Sequence, residues 1–275
     1  MSHEVDRPVR FLAFGNNVCR NIDPLGAPVI QTPIDITGNI DCGEIIWHGW
    51  TCTIAKAEDY YHAWGTDPLV SETTSVLPVD AIRRVIGFDR PVGFLHLDGR
   101  VSTTHGIKGS GTWDDVAVTG LGAVYASRSD RVYLFEALDD LIEGRSPQGP
   151  LRHPLLTSSV KLYTTESRVL ALTLGPTPHL FELVDVRSLP PRQRKTDEPI
   201  KVQLLEEFEG LGVQTVVSGS ANRFGIITEA GEAYLLGKGD PELLDFGDEE
   251  VRLIGIGSDF EVVVTVQDVF VRGAT

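Results

Sequence analysis

Cysteine is scarce in this chain of 275 residues. Its three copies, Cys19, Cys42 and Cys52, are odd in number and lack a Cys-x-x-Cys spacing. Disulfide frameworks and structural zinc sites need paired cysteines, so neither is indicated. We expect the thiols to be small buried groups, and we predict no metal site and no cofactor.

Long apolar runs are also absent. No run approaches the roughly 20 residues of a membrane helix, and the start from Met1 to Asp6 lacks the apolar core of a signal peptide. The hydrophobic content of 41% is still enough for a core, in one large all-β domain or two smaller ones. We therefore expect no membrane partner and an intracellular protein, both cytoplasmic and nuclear.

Basic residues are outnumbered, with 24 Lys and Arg against 39 Asp and Glu and a net charge of −15. An acidic surface repels phosphate backbones, so nucleic acid is not expected as the main direct ligand. The basic run Arg192–Lys195 follows Pro190-Pro191 and is either a localisation signal or, as we favour, part of a solvated loop. Long loops are predicted near 143–154 and 189–204.

Catalytic motifs are missing as well. The seven histidines form no His-x-x-x-His pair and have no recognisable nucleophile partner. The Gly-rich stretch Gly106–Gly111 lacks the ending of a phosphate loop and is predicted to form turns. The acidic pair Asp114-Asp115 is predicted to be solvated. We predict that the protein is not an enzyme.

What the sequence does have is a repeat. Each copy is a Gly-ended strand, a short polar turn, an apolar strand, a tight turn and an aromatic strand that usually ends in Gly. The clearest copy runs through Val216–Gly219, Phe224–Thr228 and Ala230–Gly237. Five further copies run from Ile45 to Gly65, from Val85 to Val101, from Val116 to Phe135, from Val160 to Phe181 and from Val251 to Gly273.

This repeat predicts an all-β fold, a β-propeller of six blades. The copies are spaced by roughly 32 to 53 residues, which is near the length of known propeller blades. A β-sandwich or barrel is the alternative, but its strands rarely repeat one pattern in one order. We expect a single domain over 1–275, closed by pairing of the amino-terminal strand Arg10–Gly15 with the carboxy-terminal strand. If that strand instead forms a blade with Pro28–Ile30, the count is seven.

The repeat resembles that of the regulator of chromosome condensation family, whose common form ends in an aromatic residue, Trp and Gly, as Tyr61–Gly65 does here. The resemblance covers nearly the whole chain. The Gly-Gln-Leu-Gly that usually follows the strand is absent, with echoes at Gly15–Asn17 and Gly237. The resemblance implies a propeller that binds partners.

Within that family, a short acidic chain made of propeller alone is most similar to a non-catalytic fungal branch. That likeness implies a heterodimer with a small zinc-binding protein of the diphthamide pathway. It also implies support for Elongator-dependent modification of the tRNA wobble uridine and for diphthamide formation on elongation factor 2. The founding member, a nucleotide exchange factor for a small GTPase, implies the alternative function, and a scaffold role is a further alternative.

A ring of turns is the predicted partner-binding surface. In each copy, the turn after the Gly-ended strand is expected on one face, and aromatic and arginine side chains are common interface anchors. Strand alternation sends Trp47 and Trp50 in opposite directions, so we expect Trp47 in the core and Trp50 exposed. We expect Trp50 and Arg223 to bind without supporting the fold. The turns carry Trp50, Phe88, Asp89, Arg90, Leu121, Glu166, Arg168, Asn222, Arg223, Asp259 and Phe260.

Overall fold

The computed structural model describes residues 11–38, 43–72, 81–151, 153–185 and 200–273. These ranges contain 24 strands, two five-residue helices and the 3₁₀ helix Glu206–Phe208. The helices are α1 (Pro68–Glu72) and α2 (Leu138–Ile142). The strands of the first half are β1 (Leu12–Asn16), β2 (Val29–Asp35), β3 (Glu44–His48), β4 (Cys52–Lys56), β5 (Tyr61–Gly65), β6 (Ile82–Gly87), β7 (Pro91–His96), β8 (Arg100–Thr103), β9 (Lys108–Thr112), β10 (Asp115–Val118), β11 (Val124–Arg128), β12 (Arg131–Phe135) and β13 (Gln148–Leu151).

The second half of the chain is built in the same way. Its strands are β14 (Val160–Thr164), β15 (Val169–Thr173), β16 (Leu180–Asp185), β17 (Ile200–Leu204), β18 (Val213–Ser218), β19 (Phe224–Thr228), β20 (Ala233–Leu236), β21 (Glu242–Leu244), β22 (Val251–Ile256), β23 (Phe260–Thr265) and β24 (Val269–Gly273).

The strands form sheets in chain order, each a meander of neighbouring strands. We number the larger sheets as blades: blade 1 is β3–β5, blade 2 is β6–β9, blade 3 is β10–β13, blade 4 is β14–β17, blade 5 is β18–β21 and blade 6 is β22–β24. β1 and β2 form a separate two-stranded sheet, the amino-terminal hairpin. The predicted all-β propeller of six blades is confirmed, and each predicted repeat coincides with one blade.

The predicted pairing of the amino-terminal strand Arg10–Gly15 with the carboxy-terminal strand is wrong. β1 pairs antiparallel with β2, with Leu12 opposite Asp35 and Asn16 opposite Val29. Among the described strands, the hydrogen-bonded neighbour of β24 is β23. The seven-blade alternative combines the amino-terminal strand with the Pro28–Ile30 stretch. The hairpin does pair these two segments, because that stretch runs into β2.

The chain divides into two compact units. The first is Met1–Asp98 with Ser102–Ile107, and the second is Gly99–Val101 with Lys108–Thr275. The expectation of one domain over 1–275 stays a prediction.

Two apolar clusters of described residues lie in the core of the first unit. One joins the hairpin to blade 1 through Ala13, Ile30 and Trp64. The other joins blade 1 to the first strands of blade 2 through Ile54 and Phe94. Each blade face is therefore covered by its neighbour, which explains why β4 is almost completely buried from Cys52 to Ala55.

The second unit repeats this arrangement. Its clusters join Leu134 to Phe181, Leu170 to Phe224 and Ile227 to Val263. β15 and β19 are buried at every position. Such short apolar runs are typical of strands that are covered on both faces.

The fourth strands of the blades were not predicted, and three of them lie where turns or loops were expected. β9 lies in the Gly-rich stretch predicted as turns, β13 lies within 143–154, and β17 occupies the end of 189–204. Pairing with the preceding strand creates them, as when Val132 faces Leu151 in blade 3. Residues 189–199, with the basic run Arg192–Lys195, lie outside the described residues.

The pair Asp114-Asp115 also differs from the prediction. Asp115 is buried, and its Oδ2 accepts a hydrogen bond from the backbone N of Leu162 at 2.7 Å. This carboxylate therefore links blade 3 to blade 4 instead of facing solvent, because a buried backbone donor requires a partner.

Candidate functional site

Within each unit, the turns between the first two strands of neighbouring sheets are hydrogen-bonded to one another. In the first unit, the Asn21 side chain of the hairpin donates to the carbonyl of Gly49 at 2.8 Å. The backbone N of Trp50 in turn donates to the carbonyl of Asp89 at 2.8 Å. The turns of blades 1 and 2 are thus held together by backbone groups, and the side chain of Trp50 takes no part in this link.

Trp50 and Trp47 have the predicted opposite orientations. Trp50 is 59% exposed. Trp47 is half-buried and packs against the cluster shared by blades 1 and 2. A side chain at Gly49 would collide with the Trp47 ring and with the carbonyl of Asp89 at 2.6 Å. Trp50 is therefore an exposed aromatic side chain on a backbone that is fixed from two sides.

In the second unit, the same relationship links the turns of blades 3 and 4. Gly120 N donates to the carbonyl of Thr165 at 3.1 Å, and Leu121 N donates to the carbonyl of Glu166 at 3.0 Å. The side chains of Leu121 and Glu166 remain exposed. Backbone bonds again carry the link between the blades.

Blades 4 and 5 are joined through a side chain. Asn222 has a φ of 59°, in the left-handed region that asparagine tolerates. Its Oδ1 accepts hydrogen bonds from Thr165 Oγ1 and from Ser167 N, both at 2.8 Å. Asn222 thus closes one turn against the next, and its side chain is engaged within the protein.

Arg168 strengthens this junction. Its guanidinium donates to both carboxylate oxygens of Glu182, at 2.7 and 3.0 Å, and to the carbonyl of Gly237 at 2.6 Å. The side chains of Arg168 and Glu182 are only 19% and 20% exposed. A two-pronged arginine–carboxylate pair of this kind fixes geometry as well as charge.

Arg223 links blade 5 to blade 6. It forms an ion pair with Glu261 and donates to the carbonyl of Gly257 at 2.6 Å. Arg272 contacts the same carboxylate at 3.3 Å. The side chain of Glu261 is 4% exposed, so both arginines compensate a buried charge. These contacts indicate that Arg223 supports the fold, which differs from the expectation from the sequence.

The predicted partner-binding residues therefore divide into two groups, and their binding role stays a prediction. Arg168, Asn222 and Arg223 hold blades together. The others point outward at least in part: Phe88 and Phe260 are half-buried, and the exposed set is Trp50, Asp89, Arg90, Glu166 and Asp259. Glu182 and Glu261, which position the two arginines, were not predicted.

The side chains that could bind a metal form no such site among the described residues, and a His–Ser pair of the kind used in catalysis is buried. In the described part of the chain, no three side chains of the metal-binding types lie close enough together to hold an ion. His96 and Ser102 form a 2.8 Å hydrogen bond, but both are buried and the other ring nitrogen of His96 contacts the carbonyl of Ala81 at 3.1 Å. We assign this pair a structural role.

The described cysteines differ in burial. Cys52 is buried as predicted, and this burial raises the pKa of its thiol to about 12. It therefore has no thiolate at neutral pH. Cys19 is half-buried, and Cys42 lies outside the described residues. Within the same described ranges, no helix has the length and apolar character to cross a membrane.

Comparison with known proteins identifies the fold. No protein-family model and no curated protein matches the sequence. Among solved structures, yeast RCC1 (Prp20) bound to Kap60 aligns with 12% identity and a TM-score of 0.62 over 96% of this chain and 79% of that chain. The chain has the fold of an RCC1-type β-propeller.

Two further structures agree. Prp20p from Saccharomyces cerevisiae shares 13% identity and a TM-score of 0.62, over 98% of this chain and 81% of that chain. Human WBSCR16 shares 14% identity and a TM-score of 0.60, over 97% of this chain and 89% of that chain. At identities this low, the likeness is one of fold.

Proposed function

We propose that this RCC1-type propeller is a non-catalytic protein that holds a macromolecular partner on the turn surface around Trp50. The observation that carries the proposal is the exposure of Trp50 on a turn fixed by Gly49 and Asp89. Large aromatic side chains are frequent interface anchors, and a rigid backbone lowers the entropic cost of binding.

The proposed partner is a small zinc-binding protein of the diphthamide pathway. The support is the acidic net charge together with the degenerate repeat, which resembles that of the fungal α-tubulin suppressor, also known as a killer-toxin-insensitivity factor. In this role the propeller forms a heterodimer and supports Elongator-dependent tRNA wobble-uridine modification and diphthamide formation on elongation factor 2. It acts in the cytoplasm and nucleus.

Affinity purification of the tagged chain from its native organism, followed by mass spectrometry, tests this proposal. We expect a small zinc-binding protein in a one-to-one complex, which then re-forms from the two purified proteins. A stable complex with an unrelated partner, or no association of the purified pair, would contradict the heterodimer.

A second candidate is regulation of nucleotide exchange on a small GTPase. It is favoured by the fold neighbour Prp20p, which was described together with its binding properties to Gsp1p and histones. Mixing the purified chain with a GTPase loaded with a fluorescent nucleotide distinguishes the two functions. Accelerated nucleotide release supports the exchange function, and an unchanged release rate contradicts it.

A further inference from the structure

A cleft of about 370 Å³ lies between the amino-terminal hairpin and blade 1, inside the first unit. Its volume is at the lower end of the roughly 300–1,000 Å³ range of ligand pockets. The walls are mainly apolar, and the main apolar residues are Phe11, Phe14, Ile22, Ile36, Ile45 and Trp64. Such a cleft suits a single ring with little charge.

Three polar residues line the same cleft: Asn21, His48 and Thr53. Thr53 Oγ1 donates its one proton to the carbonyl of Asn21. His48 Nδ1 lies 2.6 Å from Thr53 Oγ1. The contact between His48 and Thr53 therefore requires a proton on Nδ1. In the neutral ring, Nε2 is then a hydrogen-bond acceptor.

The neutral form of His48 is favoured at pH 7. The protein around the ring lowers the pKa of His48 below its ordinary value of 6.5, because it disfavours the charged form. Part of the residue remains exposed to solvent, so a ligand in the cleft can approach it.

Trp64 forms part of the apolar wall of the cleft. This residue is 4% exposed and its Nε1 is buried, so the hydrogen-bonding side of the cleft is the side of His48. A phenolic hydroxyl donates a hydrogen bond, as His48 Nε2 requires, and carries an aromatic ring that suits the apolar walls.

We propose that this cleft binds a tyrosine side chain of the protein partner, with the ring against the apolar walls and the hydroxyl donating to His48. This inference rests on the proposed function. The cleft adjoins the proposed interface, because its residue His48 lies two positions before the exposed Trp50.

The first test uses free tyrosine analogues and the full chain. N-acetyl-tyrosinamide is titrated by NMR and compared with its O-methyl ether, which lacks the donor proton, and with N-acetyl-phenylalaninamide. We expect saturable shifts at His48 and Thr53 with the tyrosine probe and about fivefold weaker binding of the two others, the size of one lost hydrogen bond. Equal affinity for the three probes, or no saturable shift, would overturn the proposal.

The second test fills the cleft with a larger side chain. Ile45 lines the cleft and is 39% exposed, so Ile45→Trp places a large ring there without displacing the core. Leu253→Trp, at a residue of blade 6 that is 64% exposed, is the matched control. We expect Ile45→Trp to abolish binding of the tyrosine probe and to weaken partner binding at least tenfold, and Leu253→Trp to leave both unchanged.

The two proposals fail in different ways. If Trp50→Ala weakens partner binding but Ile45→Trp does not, the interface stands and the tyrosine site is wrong. If Ile45→Trp blocks the tyrosine probe but no partner responds to Trp50→Ala, the proposed interface fails. A thermal melt of each variant identifies any loss of folding.

Discussion

Arg223 of blade 5 and Glu261 of blade 6 form an ion pair in which the carboxylate is almost completely buried. Arg168 and Glu182 form a similar pair at the junction of blades 4 and 5, where Arg168 also reaches the carbonyl of Gly237. A buried charge without its partner is strongly destabilising. These arginines therefore stabilise blade junctions, although they lie in the turns of the candidate surface.

The first prediction concerns this buried pair. Arg223→Ala should lower the free energy of unfolding by about 2 kcal/mol or more, because the buried Glu261 would keep only its 3.3 Å contact with Arg272. Urea denaturation measures the change. Arg252→Ala removes a surface pair in which both side chains are about half exposed, and it should cost at most about 1 kcal/mol. Equal losses in the two variants would show that Arg223 is not structural.

The glycines at the ends of first strands give the second prediction. A side chain at Gly219 would collide with Ile256 and lie 3.2 Å from the carbonyl of Arg223. Gly219→Val should therefore destabilise the protein by about 2 kcal/mol or more through overpacking. The control is Gly175→Ala, where the new methyl group makes an ordinary 3.6 Å contact with Ser158. Matching thermal melts for both variants would contradict the blade packing.

Much of the fold was predictable because the buried strands have a strong local pattern. β19 was predicted at Phe224–Thr228, where all five positions are buried. The fourth strands have no such pattern. β21 has three residues, of which only Leu244 is buried, and its pairing with β20 defines it. The formation of such a strand depends on pairing with its neighbour, and its sequence has no distinctive pattern.

The candidate surface was predictable only in part. The turn positions of Trp50 and Arg223 follow from the repeat, and the exposure of Trp50 follows from alternation. The partner of Arg223 is 38 residues away, on another blade, so its identity depends on how consecutive blades pack. The cleft beside Trp64 depends on the hairpin, which was expected to pair elsewhere.

A third prediction concerns the junction at Asn222. Its Oδ1 accepts hydrogen bonds from Thr165 and Ser167, and its φ is positive. Asn222→Leu should cost about 2 kcal/mol, because two donors lose their acceptor and a branched side chain is strained there. Asn222→Asp keeps an acceptor oxygen and should cost less. If chemical denaturation gives the opposite order, the acceptor is not what stabilises this turn.

The fourth prediction follows from His48. Because burial lowers the pKa of His48 in the folded state, the unfolded chain binds more protons below pH 6.5. The contribution of His48 is fully present above pH 6.5 and is lost as the pH falls through the lower folded value. His48→Asn keeps a donor near Thr53 but does not titrate. Thermal melts from pH 7.5 to 5.5 should therefore show a smaller loss of stability in His48→Asn than in the parent, and identical losses would contradict the lowered pKa.

The last prediction tests the candidate surface itself. Trp50→Ala removes the side chain of a residue that is 59% exposed, while the backbone bond to Asp89 stays in place, so the melting temperature should hardly change. Partner affinity should fall by about 2 kcal/mol or more, roughly 30-fold, as is typical of an aromatic anchor. Calorimetric titration of the purified partner measures this loss, and Leu253→Ala, at another exposed residue, is the control. Unchanged affinity in Trp50→Ala with reduced affinity in the control would move the interface to the exposed face of blade 6, where Leu253 lies.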